Sequence, residues 1–164
     1  MADFQQSGVV TTLHRLGTPN VERLEAALLS FAPVSPIALV LPCLYSEVKD
    51  VALKGIVDVL RQVRYLRQVV VSVSGTSRLD EFDELRAAFD GVRTVTGEPA
   101  VFVWNRGPRV SALYQRLRSA EGDPGEDGKG RSVWMAYGYV LATNVSRVIA
   151  LHDCDIRDYR REML

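Results

Sequence analysis

Apolar positions follow two alternating rhythms along this chain. Short continuous runs of strand length stand at Ile37–Leu41 (IALVL), Val69–Val73 (VVVSV), Val101–Trp104 (VFVW) and Val148–Leu151 (VIAL). Between them, apolar residues recur three and four apart. Asn20–Phe31 carries Val21, Leu24, Ala27, Leu28 and Phe31 on one helical face, and Pro33 and Pro36 end it. Ser46–Leu60 follows with Val48, Val51, Ala52, Ile56, Val59 and Leu60, then Leu79–Phe89 with Phe82, Leu85, Ala88 and Phe89. Pro108–Ser119 turns Val110, Leu113, Tyr114 and Leu117 inward, and Ser132–Ala142 predicts one more apolar-faced helix. Residues 8–14 (GVVTTLH) read as extended, and residues 121–130 (EGDPGEDGKG) as a loop, because glycines, a proline and acids cannot sustain regular structure there.

Buried strands alternating with amphipathic helices predict an α/β fold: a mostly parallel sheet with helices on both faces, because parallel neighbours need crossover helices. Ligands in such sheets bind beyond the carboxyl ends of the strands. A length of 164 residues fits one domain. Its expected organisation is a strand and helix extension over residues 1–36 and an α/β domain over 37–164.

Charge narrows the function classes. Lys and Arg number 20 and Asp and Glu 20, so no overall basic field argues for nucleic acid and any anion site must be local. Cys43 and Cys154 are the only cysteines, outside any CxxC spacing, which suits free thiols in a reducing cytoplasm. No run of about 18 apolar residues predicts a transmembrane segment, and the first ten residues lack the basic and apolar regions of a signal peptide. The expectation is a soluble cytoplasmic protein, with homo-oligomerisation left open.

Four segments carry candidate chemistry. In LHDCDI (151–156) an apolar strand runs directly into Asp153-Cys154-Asp155, and continued extended geometry would put both carboxylates on one side. Paired hard oxygen ligands with open positions suit Mg²⁺ or Mn²⁺ serving a diphosphate. The alternative is that one aspartate caps a helix starting near Ile156 while the other is solvated. In LVLPCLYSEV, Pro42 is expected to stop the ladder where a site would open, and Glu47 either accepts from a nucleobase or ribose or complements a helix dipole. Ser74-Gly75-Thr76-Ser77 offers hydroxyls at the same sheet end, or is an ordinary turn. Gly128-Lys129-Gly130-Arg131 departs from a P-loop but could lay backbone and two cations against phosphate before the helix at Ser132, or form a solvated basic turn. His152 reads as packed or partly exposed, His14 shows no partner, and Trp104, Trp134, Tyr137 and Tyr139 read as core. No spacing suggests a catalytic triad, and no Cys/His cluster suggests zinc.

Together, PCLYSE (42–47), SGTS (74–77), GKGR (128–131) and DCD (153–155) resemble, in order and spacing, the donor-binding half of GT-A glycosyltransferases. Within these, the chain is most similar to the glucosyl-3-phosphoglycerate and mannosyl-3-phosphoglycerate synthase group, related to family 2. The resemblance implies a Rossmann-like nucleotide-binding half and a nucleoside pocket lined by Pro42, Leu44 and Glu47, with Ser74 near the base or ribose. It further implies Lys129 close to the donor diphosphate and a DXD-type metal site at Asp153 and Asp155. The implied partners are a UDP- or GDP-sugar and a small hydroxylated acceptor such as glycerate or phosphoglycerate. Two departures, Val73 where an acid usually precedes the Ser-Gly pair and Ser46 where a Glu is common, leave the nucleotide open. The group's acceptor-binding half would follow Leu164, so the expectation is a truncated chain or one completed by another polypeptide. Two other readings stand beside transfer: an incomplete nucleotide-sugar-binding module needing a partner chain, and a sugar nucleotidyltransferase, against which PCLYSE lacks the glycine-rich loop.

Overall fold

Each strand sorts its residues to two faces, and the helices follow from that sorting. The computed structural model describes residues 20–120 and 122–164, so the stretch 8–14 and His14 lie outside the described residues. Four strands, β1 (Ile37–Leu44), β2 (Leu66–Ser74), β3 (Val101–Trp104) and β4 (Val148–Leu151), form one parallel sheet in the order β3-β2-β1-β4. The α/β reading is thereby borne out.

Leu39, Leu41 and Cys43 of β1 and Val69, Val71 and Val73 of β2 face one side, where α2 (Val51–Leu60) and α3 (Leu79–Ala88) cover them with Leu53, Ile56, Leu60 and Leu85. The intervening Ala38, Val40 and Val70 face the other side, under α4 (Pro108–Ser119) and α5 (Lys129–Thr143), which contribute Tyr114, Met135, Ala136 and Val140. Right-handed crossovers account for this division. Steps β1 to β2 to β3 run in one direction and put α2 and α3 on one face; the return to β4, beyond β1, puts α4 and α5 on the opposite face. The order reverses between β1 and β4, and the ends of those strands open a crevice at the carboxyl edge.

Several boundaries differ from expectation for local reasons. Pro42 does not stop β1: it pairs in register with Ser72, and the strand runs on to Leu44. The Val40 carbonyl accepts from the His152 amide, so Pro42, two residues on, also turns its backbone toward β4, which has already ended. Its missing N–H therefore costs no ladder bond. The helix expected over Ser46–Leu60 is split. A 3₁₀ turn covers Tyr45–Lys49, then Asp50 is extended and caps α2 by accepting from the Ala52 amide at 2.9 Å. Val51 consequently lies exposed instead of inward.

Helix α5 starts at Lys129, three residues earlier than expected, and its buried stripe of Ser132, Met135, Ala136 and Val140 leaves Trp134 exposed, contrary to the core reading. In α1 (Val21–Phe31), which Asn20 caps, the half-buried stripe is Val21, Glu25 and Leu28, so Leu24, Ala27 and Phe31 face solvent. Leu113 of α4 is likewise exposed. After Asp155 the chain turns without forming a helix, and a short 3₁₀ element follows at Arg161–Met163, which removes the helix-cap alternative for the aspartates. Among the described residues no helix is long and apolar enough to cross a membrane.

Candidate functional site

A cleft of about 420 Å³ lies at the carboxyl edge over the reversal point, and four strand exits and the start of α5 line it. Pro42, Leu44 and Glu47 come from the end of β1, Ser74 and Gly75 from β2, Arg106 from just past β3, and Asp153 and Asp155 from just past β4. Lys129 and Ser132 arrive on the first turn of α5. The sequence signals converge because parallel strands deliver all their exits to one edge.

The wall built on β1 and β4 is acidic. The strand ends at Leu151 and a turn follows at Cys154-Asp155, so the aspartates do not sit on a continued strand, yet both line the cleft. Asp153 is half-buried and Asp155 exposed, while Cys154 between them is buried in the core beside Cys43. Glu47 accepts from the Leu44 amide at 2.8 Å and so ties the 3₁₀ turn to the strand end. Partial burial pushes the Glu47 carboxyl above its ordinary range; the Leu44 amide opposes that, and Asp155 and Asp153 add to it. Burial also holds the His152 imidazole below its usual value, and its Nδ1 lies 2.7 Å from the Tyr159 hydroxyl, which agrees with a packed histidine. The Cys154 thiol and burial together push the Cys43 thiol far up.

The opposite wall is basic and rests on a polar network. The Asn105 amide donates to Ser72 Oγ at 2.8 Å and to the Val73 carbonyl at 3.0 Å, and its oxygen accepts from the Tyr114 hydroxyl at 3.0 Å. Ser72 Oγ donates to the Ser132 carbonyl at 2.8 Å, and the hydroxyls of Ser74 and Ser132 meet at 2.5 Å. These bonds seat the first turns of α5 on the end of β2. Gly128 precedes the helix with no side-chain cap, leaving the first amides of α5 without intrahelical partners at the cleft's edge. Lys129 Nζ reaches across to Asp153 Oδ1 at 2.5 Å, an exposed pair that raises the lysine's pKa.

Arg131 does not line the cleft. Its guanidinium lies 4.5 Å from the Tyr114 ring centroid and pairs with Asp127 at 2.7 Å. Asp127 also receives Arg106 Nε at 2.8 Å. Partial burial works against the Asp127 charge, but the two arginines outweigh it and hold the carboxyl below the ordinary range. Arg106 is the cleft cation that sequence reasoning missed, although its place just after β3 is equivalent to that of the other segments. Gly107 behind it is obligatory by packing: a Cβ there would stand 2.7 Å from the Trp104 ring, which stacks on Phe82 with centroids 4.7 Å apart.

A further cluster also went unread. Cys43, Glu47 and Cys154 bring their ligand atoms within 4.8 Å of one another, from residues too widely spaced for any cysteine motif to reveal. No Cys/His cluster in the sequence suggested zinc, and this group is assembled only by the fold.

No protein-family profile matches the chain. It is 39% identical over 163 residues to a glucosyl-3-phosphoglycerate synthase of Persephonella marina, covering 99% of this chain and 39% of that protein. A glucosyl-3-phosphoglycerate synthase of Methanococcoides burtonii is 32% identical over 161 residues, covering 96% of the chain and 37% of that relative. The chain thus spans about two fifths of the length of these relatives. Among solved structures, the glucosyl-3-phosphoglycerate synthase of Mycobacterium tuberculosis in complex with Mn²⁺, uridine diphosphate and glucosyl-3-phosphoglycerate matches with a TM-score of 0.51 and 21% identity, over 89% of this chain and 41% of that one. The resemblance carried by the four motifs is borne out, and the fold is shared with that enzyme.

Proposed function

We propose that this chain is the donor-binding part of a divalent-cation-dependent glycosyltransferase that takes a nucleoside-diphosphate sugar. The observation that carries this reading is the single cleft in which Asp153 and Asp155 oppose Lys129 and the uncapped start of α5. The likeness to glucosyl-3-phosphoglycerate synthases over nearly the whole chain supports transfer to a small hydroxylated acceptor such as glycerate or phosphoglycerate, with UDP-glucose the first donor to test. In this reading residues 37–164 form the donor domain, residues 1–36 an extension, and acceptor binding falls to sequence equivalent to the remaining length of the relatives. Two free cysteines suit a cytoplasmic setting.

In this assignment Pro42, Leu44, Glu47 and Ser74 line the nucleoside pocket, with the half-exposed Leu44 giving the base an apolar wall. Lys129, Arg106 and the first amides of α5 hold the diphosphate, because a helix N-terminus and flanking cations favour phosphate oxygens. Arg131 holds Asp127, which in turn orients Arg106. The residues present fit a hard cation: Asp153 and Asp155 offer oxygen ligands in a cleft where their charges add to the raised proton affinity of Glu47. Mg²⁺ or Mn²⁺ bound by the aspartates would neutralise charge on the departing nucleoside diphosphate. Lys129, freed from Asp153, would hold the same phosphate oxygens.

The test is thermal stabilisation by UDP-glucose and GDP-sugars with and without Mn²⁺. A ligand at one hundred times its Kd stabilises by about 2.7 kcal/mol, roughly 5–10 °C in a domain of this size. The expected outcome is a shift that needs both nucleotide and Mn²⁺ and disappears in Asp155→Ala. An unchanged Mn²⁺ requirement in that variant would remove the aspartates from the site.

A further inference from the structure

We propose that Cys43, Glu47 and Cys154 form a second cation site in the floor of the cleft, for a thiophilic divalent ion of the zinc type. The three ligand atoms lie within 4.8 Å of one another. Tetrahedral zinc, with Zn–S near 2.3 Å and Zn–O near 2.1 Å, sets its ligands roughly 3.5–3.8 Å apart, so small side-chain rotations close the set. All three residues line the cleft, which leaves the fourth position for water or a ligand arriving from it.

The backbone holds the ligands in place independently of any ion. Cys43 is fixed in β1 opposite Val73, Cys154 sits in the turn that leaves the neighbouring strand β4, and Glu47 is anchored by the Leu44 amide. A carboxylate has two oxygens, so Glu47 can keep that amide and still coordinate. Two thiolates and one carboxylate select a softer ion than the oxygen-only pair of Asp153 and Asp155. One tripeptide thus turns hard ligands toward the cleft and a soft ligand into its floor. Binding exchanges the two thiol protons, which pass to solvent, for the divalent ion. The competing explanation, that both cysteines are merely small core hydrophobes, predicts no thiolate coordination at all.

The site does not depend on glycosyl transfer, and its test needs no nucleotide. Titrating the chelator-treated full chain with Co²⁺ is expected to produce thiolate-to-cobalt charge-transfer absorption that saturates at about one ion per chain, and Zn²⁺ is expected to bleach it. Cys154→Ser, with native far-ultraviolet circular dichroism, should lose the band; if that variant does not fold, Cys43→Ser serves. Asp155→Asn should keep it. Absence of the band, its persistence in the serine variant, or its loss in Asp155→Asn would overturn a separate soft-ion site.

Discussion

The two faces of the sheet are built on different physics. Under α2 and α3 the contact is apolar, and its aliphatic centre is closed: Leu39, Leu41, Leu53, Ile56, Leu60 and Leu85 are all at most 1% exposed. Under α4 and α5 a smaller apolar patch shares the face with buried polar groups, among them Gln68, Ser72, Asn105 and Ser132. Gln68 bonds Thr143 and Ser146 at the foot of α5, while Ser72 and Ser74 bond Ser132 at its head, with Asn105 donating to Ser72 behind them. Packing without direction makes a scaffold, whereas directional bonds fix one rotational setting of the helix whose first turn meets the cleft. The face that carries the cations is the one whose position is specified by hydrogen bonds.

This contrast breaks most sharply in the apolar layer. Ile56→Ala should cost about 2–5 kcal/mol in chemical denaturation, because the neighbouring aliphatic side chains cannot close the void. Nucleotide affinity of the folded fraction should stay within about twofold. Asn105→Ala should cost less, roughly 1–3 kcal/mol, by leaving the Tyr114 hydroxyl and Ser72 short of partners, yet weaken nucleotide binding more than Ile56→Ala does. Equal effects of the two variants on calorimetric affinity would erase the distinction between the faces.

The smallest effect concerns Asp127, which joins Arg106 to Arg131 at a partly exposed position. Its native carboxyl titrates below the ordinary range, so its stabilising contribution is present above the ordinary carboxylate pKa and fades as pH falls through the native value. Asp127→Asn should cost under about 1 kcal/mol at neutral pH and flatten the acid limb of the stability profile. A parallel acid limb in wild type and variant would show that the two arginines do not hold that charge.

How much of this was legible in the chain depends on whether neighbours in sequence or in space decide. Four apolar runs predicted four strands, and β3 and β4 match to the residue because each is a short run flanked by turn residues. Pro42 would end β1 only if a full ladder stood on both sides of it, and whether a neighbour is still present at that height is a tertiary fact. Asp50 was available as a cap, but continuous apolar spacing across it hid the break before α2. Lys129, Asp153 and Asp155 stand out by their local spacing, whereas the ion pair between the first two does not, since they lie 24 positions apart in sequence. Arg131 went astray for the same reason: nothing local shows that Asp127 and Tyr114 will capture its guanidinium. The joining of Cys43 to Cys154 is more remote still, because it follows only from β4 settling beside β1.

A cation and a nucleoside diphosphate that share this cleft must each tighten the other. Mn²⁺ binding, followed by the electron paramagnetic resonance of the free ion, should tighten by roughly 5–150-fold when UDP is present, and Mn²⁺ should tighten UDP by the same factor. Asp155→Ala should abolish both effects together. Mn²⁺ affinity indifferent to UDP in the wild-type chain would mean that the two ligands do not share the cleft.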